Sequence, residues 1–233
     1  MQILWAGVDF SRAKNYNSRT MVNYENKGFR LLPKALIIFI LEVFDRFSLV
    51  LVRLKLHPNF LSFLGLVAGL LVGLFYGLGY PAWALVFLVI CGMLDILDGK
   101  VATNSNRKTV FGAVFDSSLD RYSEFAIYFG LGFYFRNHWI LWVLALAFLG
   151  STMVSYTKAR AESLGISCQL GIMQRAERLV LLIVATLLGL ITGRFDTMMI
   201  GAIIILAVVS NITAIQRIAY VYRIEKKKAT TRS

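Results

Sequence analysis

The residues best placed to do chemistry are four aspartates in the frame Asp95-x2-Asp98-Gly99-x2-Ala102 followed by Gly112-x3-Asp116-x3-Asp120. Asp95 and Asp98 are three positions apart and Asp116 and Asp120 four, so each pair lies on one face of a helix. An antiparallel pair of such helices brings all four carboxylates to nearly one depth. Oxygen ligands at that density suit Mg²⁺, Mn²⁺ or Ca²⁺ rather than zinc, because no histidine or cysteine shares the face. Two such ions would clamp a diphosphate and assist an in-line displacement at phosphorus. Gly99 and Gly112 leave room for a bulky ligand where a side chain would obstruct it.

These acids sit in a chain that is 58% hydrophobic over 233 residues, with a positive mean hydropathy and apolar stretches of membrane-crossing length. Carboxylates in hydrocarbon cost several kcal/mol each, so a charged guest is expected among them. Isolated intramembrane aspartates more often pair with Lys or Arg, or line an ion path. A cation transporter, however, would repeat acidic positions along several spans, and here they collect on two.

The pattern predicts an all-α integral membrane protein with about six transmembrane helices preceded by an amphipathic interfacial helix. Residues 31–56 mix apolar side chains with Lys34, Glu42, Asp45, Arg46, Arg53 and Lys55, which suits a helix lying along the interface. Spans are expected over 60–78, 81–102, 112–135, 139–161, 179–193 and 198–222. In the first of these Gly65, Gly69, Gly73 and Gly77 form a stripe for close packing on a neighbour. Residues 1–30 read as a loose arm without a signal peptide's features, 31–222 as the membrane domain and 223–233 as a basic tail.

Arg107, Lys108, Arg160, Arg175, Arg178 and the basic tail would all lie on one side, which places both termini and the acidic site in the cytoplasm. The same bias, with attraction to anionic headgroups, explains the net charge of +12 without nucleic acid. Cys91 and Cys168 are too few and too separated for a disulfide framework. His57 and His138 stand apart from the acids and read as surface residues.

The frame resembles the signature of the CDP-alcohol phosphotransferases, Asp-x2-Asp-Gly-x2-Ala-Arg-x8/9-Gly-x3-Asp-x3-Asp. Asp95, Asp98, Gly99, Ala102, Gly112, Asp116 and Asp120 match in register. The resemblance implies transfer of a substituted phosphate from a CDP-linked lipid such as CDP-diacylglycerol to an alcohol, with release of CMP. It implies Asp95, Asp98 and Asp116 as ligands of two Mg²⁺ or Mn²⁺ ions, and Asp120 both near the metals and as the base that takes the acceptor's proton. Gly99, Ala102 and Gly112 would then border the CDP-lipid. Thr103 stands where the family has arginine, and Arg107, Lys108 or Lys100 are the candidates to replace its contact with diphosphate. A catalytically weakened or inactive member is the alternative that this departure raises. Asn59, at the mouth of the first span, is either a nucleotide-phosphate contact or a helix cap.

Ser155 and Lys158 in Ser155-Tyr156-Thr157-Lys158-Ala159-Arg160, together with the run from Gly171 to Arg178, resemble the phosphatidylinositol-phosphate synthase branch. Ser155, Lys158, Arg178 and Arg217 are accordingly expected to hold the phosphate of an acceptor such as inositol 1-phosphate, with glycerol 3-phosphate the rival. Arg160, Arg175 and Arg223 read better as interfacial anchors. A homodimer is one arrangement that the sequence allows.

Overall fold

In a computed structural model, residues 34–168 and 170–230 are described, side chains from 44 to 226. The arm at 1–30 lies outside the described residues. Among the described residues seven α-helices follow one another: α1 (Lys34–Arg53), α2 (Pro58–Gly77), α3 (Pro81–Asn104), α4 (Val110–Tyr134), α5 (Ile140–Ser163), α6 (Arg175–Thr192) and α7 (Phe195–Thr230). There is no strand among the described residues.

Local chemistry sets the helix starts. Pro58 opens α2 at a position where its missing N–H costs nothing, and His57 Nδ1 caps the helix by accepting from the Asn59 amide at 3.2 Å. Asn59 is therefore not the cap. Thr109 caps α4, its Oγ1 accepting from the Gly112 amide at 2.9 Å. His138 Nδ1 takes the Ile140 amide at the start of α5, so both histidines serve helix ends.

Helix α1 exposes Phe47, Leu49 and Val50, with Leu54 exposed just beyond its end, while Phe44, Leu51 and Val52 pack against Leu61, Leu97 and Val101. Asp45 fastens it to α3 through Lys100 (3.0 Å) and Asn104 (3.3 Å). The hydrogen bond from Lys100 holds the Asp45 carboxyl below its ordinary range.

Helix α2 lies against both α3 and α4, α5 lies against α7, and α6 bridges to α3 and α7. Backbones touch where α2 crosses α4: a Cβ on Gly73 would stand 2.2 Å from the Ala126 carbonyl oxygen, and one on Gly130 2.0 Å from that of Gly73. Gly73→Ala or Gly130→Ala should therefore cost about 1–3 kcal/mol of overpacking, read as a lowered thermal midpoint in detergent. Unchanged midpoints for both variants would contradict this crossing. The two halves share one core, in which Tyr76 and Thr186 hydroxyls meet at 2.6 Å between α2 and α6.

Helices α2, α3, α5 and α7 are long and apolar enough to cross a membrane, and they expose large apolar side chains such as Trp83, Trp142 and Ile215. The protein is an integral membrane protein, helical throughout its described elements. Helices α4 and α6 fall short by composition because they carry Asp116, Asp120, Arg121 and Glu124, and Arg175, Glu177 and Arg178. Two boundaries differ from expectation by four residues or more. Helix α6 begins at Arg175, four residues early, and α7 continues unbroken to Thr230. The basic tail is thus helical as far as it is described.

Candidate active site between two cavities

The four aspartates come together, though by a different route from direct helix pairing. Helices α3 and α4 each lie on α2, and their acidic faces look at one another beside it. Carboxylate oxygens of Asp95, Asp116 and Asp120 all lie within 4.8 Å of one another. Asp98 stands slightly apart and deeper, 6% exposed, beside Asp116 and accepting from Ser62 Oγ at 2.8 Å.

Three hard oxygen donors at this spacing fit a divalent cation of the Mg²⁺ or Mn²⁺ type. The surroundings say the same. The Arg175 guanidinium lies against the cluster, Nη2 2.9 Å from Asp120 Oδ1, Nε 3.4 Å from Asp95 Oδ1 and Nη1 2.6 Å from the Asp120 carbonyl oxygen. A cluster that draws in a cation is one that needs positive charge.

On one side of the cluster a cavity of about 280 Å³ is lined by Asn59, Gly99, Ala102, Arg107, Lys108, Gly112, Asp98 and Asp116. A Cβ on Gly99 would meet nothing within 4 Å, so the glycine opens straight into this space. The turn after α3 passes through Asn106 at φ 53 and returns Arg107 and Lys108 to the cavity wall. Thr103 is turned away, its Oγ1 donating to the Gly99 carbonyl at 2.8 Å. Lys100 is committed to Asp45, which removes it as a replacement for the arginine that Thr103 displaces.

On the other side a cavity of about 700 Å³ is lined by Ser155, Lys158, Arg178 and Arg217, with Asp120, Arg121, Glu162, Gln174 and Arg175. Helices α4, α5, α6 and α7 each contribute. Arg217 Nε donates to the Leu170 carbonyl at 2.6 Å and its Nη1 to that of Val154, which fixes the guanidinium at the wall. Gly171, at φ 141, lets the connecting loop pass Arg217; a Cβ there would be 2.6 Å from Thr213 Cγ2. Asp120 is the one acid of the four that reaches this cavity.

A CDP-alcohol phosphatidyltransferase profile matches residues 55–219, which contain the aspartates and both cavities. The chain belongs to the CDP-alcohol phosphatidyltransferase family. It is a transferase of that type. It is 36% identical over 171 residues to an archaetidylinositol phosphate synthase of Methanothermobacter thermautotrophicus, covering 73% of this chain and 86% of the relative. Identity to a phosphatidylinositol phosphate synthase of Streptomyces avermitilis is 33% over 208 residues, 84% of each chain. The crystal structure of Mycobacterium tuberculosis phosphatidylinositol phosphate synthase with CDP-DAG bound superposes with a TM-score of 0.70 at 27% identity, covering 78% of this chain and 94% of that one. The same enzyme in complex with manganese and citrate gives 0.68 at 27% identity, covering 77% and 88%.

Within this transferase one site residue has a different role from the one its sequence position suggested, and others carried no expectation. Arg175 is not an interfacial anchor: its side chain is 14% exposed and directed at the aspartates. Glu124 is buried and holds two cavity cations, Arg178 Nε at 2.7 Å and Arg121 Nη1 at 3.4 Å, while Ser151 Oγ also donates to it. Arg121 Nη1 in turn donates to Ser155 Oγ. Lys158, Arg178 and Arg217 therefore do not line the cavity as bare cations, since Glu124 neutralises part of the group. A signal was present: Glu124 continues the run Asp116, Asp120 by four more residues, on the same helical face.

Proposed function

We propose that this chain transfers the phosphatidyl group of CDP-diacylglycerol, or a similar CDP-lipid, to inositol 1-phosphate and releases CMP. The observation that carries this is the cavity in which Lys158, Arg178 and Arg217 face Asp120. The acceptor's phosphate would rest on those three cations and Ser155, which turns its free hydroxyl toward Asp120. The Asp120 carboxylate accepts the hydroxyl proton as the oxygen attacks the phosphorus that bears diacylglycerol, and the bond from that phosphorus to CMP breaks. Two divalent ions held by Asp95, Asp98, Asp116 and Asp120 would supply Lewis-acid neutralisation of the diphosphate. Gly99, Ala102 and Gly112 let the nucleotide lie against α3 and α4, with Asn59, Arg107 and Lys108 toward its phosphates.

The names of the relatives support the same acceptor. Glycerol 3-phosphate would use the same cations, but Ser117, Ser118, Glu162 and Gln174 on the wall offer partners to a polyhydroxylated ring. We further infer that α2 to α7 all cross the bilayer, α4 and α6 being tolerated there because their charges face the site, and that the termini and site are cytoplasmic. The membrane domain then spans 31–222, with α1 on the interface.

An acceptor panel with radiolabelled CDP-diacylglycerol and Mg²⁺ tests this. Inositol 1-phosphate should be consumed far better than inositol, serine or ethanolamine. Preference for an unphosphorylated acceptor would defeat the phosphate reading, and no CMP release with any acceptor would mark a weakened enzyme. Arg107→Ala or Lys108→Ala should raise KM for the CDP-lipid more than for the acceptor, whereas Lys100→Ala should leave both within about twofold, as expected of a surface pair. Equal KM values for parent and both cavity variants would remove Arg107 and Lys108 from the diphosphate.

A further inference from the structure

Arg175 belongs to both halves of the site. Its guanidinium touches Asp95 and Asp120 in the carboxylate cluster, and the same side chain lines the acceptor cavity. The cluster seat is an imperfect one. Nε is buried without a hydrogen-bond partner, its distance to Asp95 being 3.4 Å. On the acceptor side, buried Arg178 leaves Nη2 without a partner as well. Two adjoining guanidinium groups thus hold N–H donors that nothing among the described residues satisfies, and an unsatisfied buried donor invites an acceptor.

A divalent ion at Asp95, Asp116 and Asp120 would remove the reason for Arg175 to be there. It would meet the charge of the carboxylates and repel the guanidinium at close range. Arg175 is the first residue of α6, after a loop that contains Gly165 and Gly171, and it already borders the acceptor cavity. Resting on the phosphate-acceptor reading, we propose that Arg175 stands in for the metal's charge between Asp95 and Asp120 and, when the metal takes that place, turns to the acceptor's phosphate, so that metal and phosphate bind with positive coupling. Arg175 is a positioning residue in the first state and an acceptor ligand in the second. Coupling of this kind is reciprocal: whatever factor the metal adds to anion affinity, the anion adds to metal affinity.

The test uses the full chain in detergent, with inositol 1-phosphate titrated calorimetrically with and without Mn²⁺, and free Mn²⁺ counted by electron paramagnetic resonance with and without inositol 1-phosphate. In the parent each ligand should tighten the other by about tenfold, within the usual range of site coupling. Arg175→Gln should bind Mn²⁺ severalfold more tightly than the parent when the anion is absent, and should lose most of the coupling. Arg175→Lys keeps the charge and should fall between the two, which controls for a folding defect in the glutamine variant. Equal anion affinity with and without Mn²⁺ in the parent, or full coupling in Arg175→Gln, overturns the proposal. If inositol 1-phosphate binds under neither condition, the acceptor reading fails. The Mn²⁺ affinities then decide the position of Arg175, and no tightening in Arg175→Gln overturns that too.

Discussion

Asp120→Asn should lower CMP release by about 10³-fold or more at saturating substrates and Mg²⁺, a loss of roughly 4 kcal/mol in transition-state stabilisation. The amide keeps the shape of the side chain but can neither take a proton from the acceptor nor supply an anionic ligand. Asp95→Asn and Asp116→Asn should be comparably damaging, since their oxygens close the same 4.8 Å cluster. Asp98→Asn removes the acid that Ser62 and Asp116 hold from two sides. Excess EDTA should abolish turnover in the parent, with restoration by Mg²⁺ or Mn²⁺. Retention of the parent's elution volume in detergent separates a chemical loss from misfolding. Full activity in EDTA, or an Asp120→Asn enzyme within a few-fold of the parent, would sink a mechanism built on metal and carboxylate.

That prediction was legible from spacing because helical periodicity is local. Asp95 with Asp98, and Asp116 with Asp120, needed only a helix to share a face. What spacing could not give is how the two faces meet, since α3 and α4 approach through α2, whose Gly69 and Gly73 pack on Ser123, Ala126 and Gly130 of α4. The glycine stripe announced close packing but not its partner. Charges at helix ends were harder still. Arg160, Arg175, Arg178 and Arg223 all satisfy the rule that cations gather on one side of a membrane, so the rule explains each equally and separates none. Burial separates them: Arg175 and Arg178 turn inward to Asp120 and Glu124, a contact over more than fifty residues of chain in each case. Lys100 shows the converse. It stands next to Gly99 in the signature, yet Asp45, from a helix outside the signature, claims it. Helices α4 and α6 fall short of span-like apolarity for a related reason, because the residues that line the candidate site are those that lower it.

The acceptor cations should split by their neighbours when each is removed. Lys158 lines the cavity and forms no ion pair among the described residues, so on the proposed reading Lys158→Ala would subtract a phosphate ligand and little else. A charge-assisted hydrogen bond of about 1.5–3 kcal/mol corresponds to a rise in KM for inositol 1-phosphate of roughly 10- to 150-fold. KM for the CDP-lipid should stay within about twofold, as for a distant, independent site. Arg217→Ala should show the same acceptor loss with some instability, because Arg217 also ties down the carbonyls of Leu170 and Val154. Arg178→Ala is the severe case. It leaves Glu124 buried, 7% exposed, with Arg121 at 3.4 Å as its remaining ion-pair partner. Breaking a buried pair from one side costs about 3–5 kcal/mol, so this variant should fold poorly before its kinetics can be read. Adding Glu124→Gln removes the stranded charge and should recover the folded protein without recovering acceptor affinity, since Arg178 would still be missing from the phosphate. Recovery of stability alone identifies Glu124 as the holder of Arg178 and Arg178 as the holder of phosphate. If the double variant regains the parent's KM for inositol 1-phosphate, or Lys158→Ala leaves it unchanged, these cations serve the fold and not the acceptor.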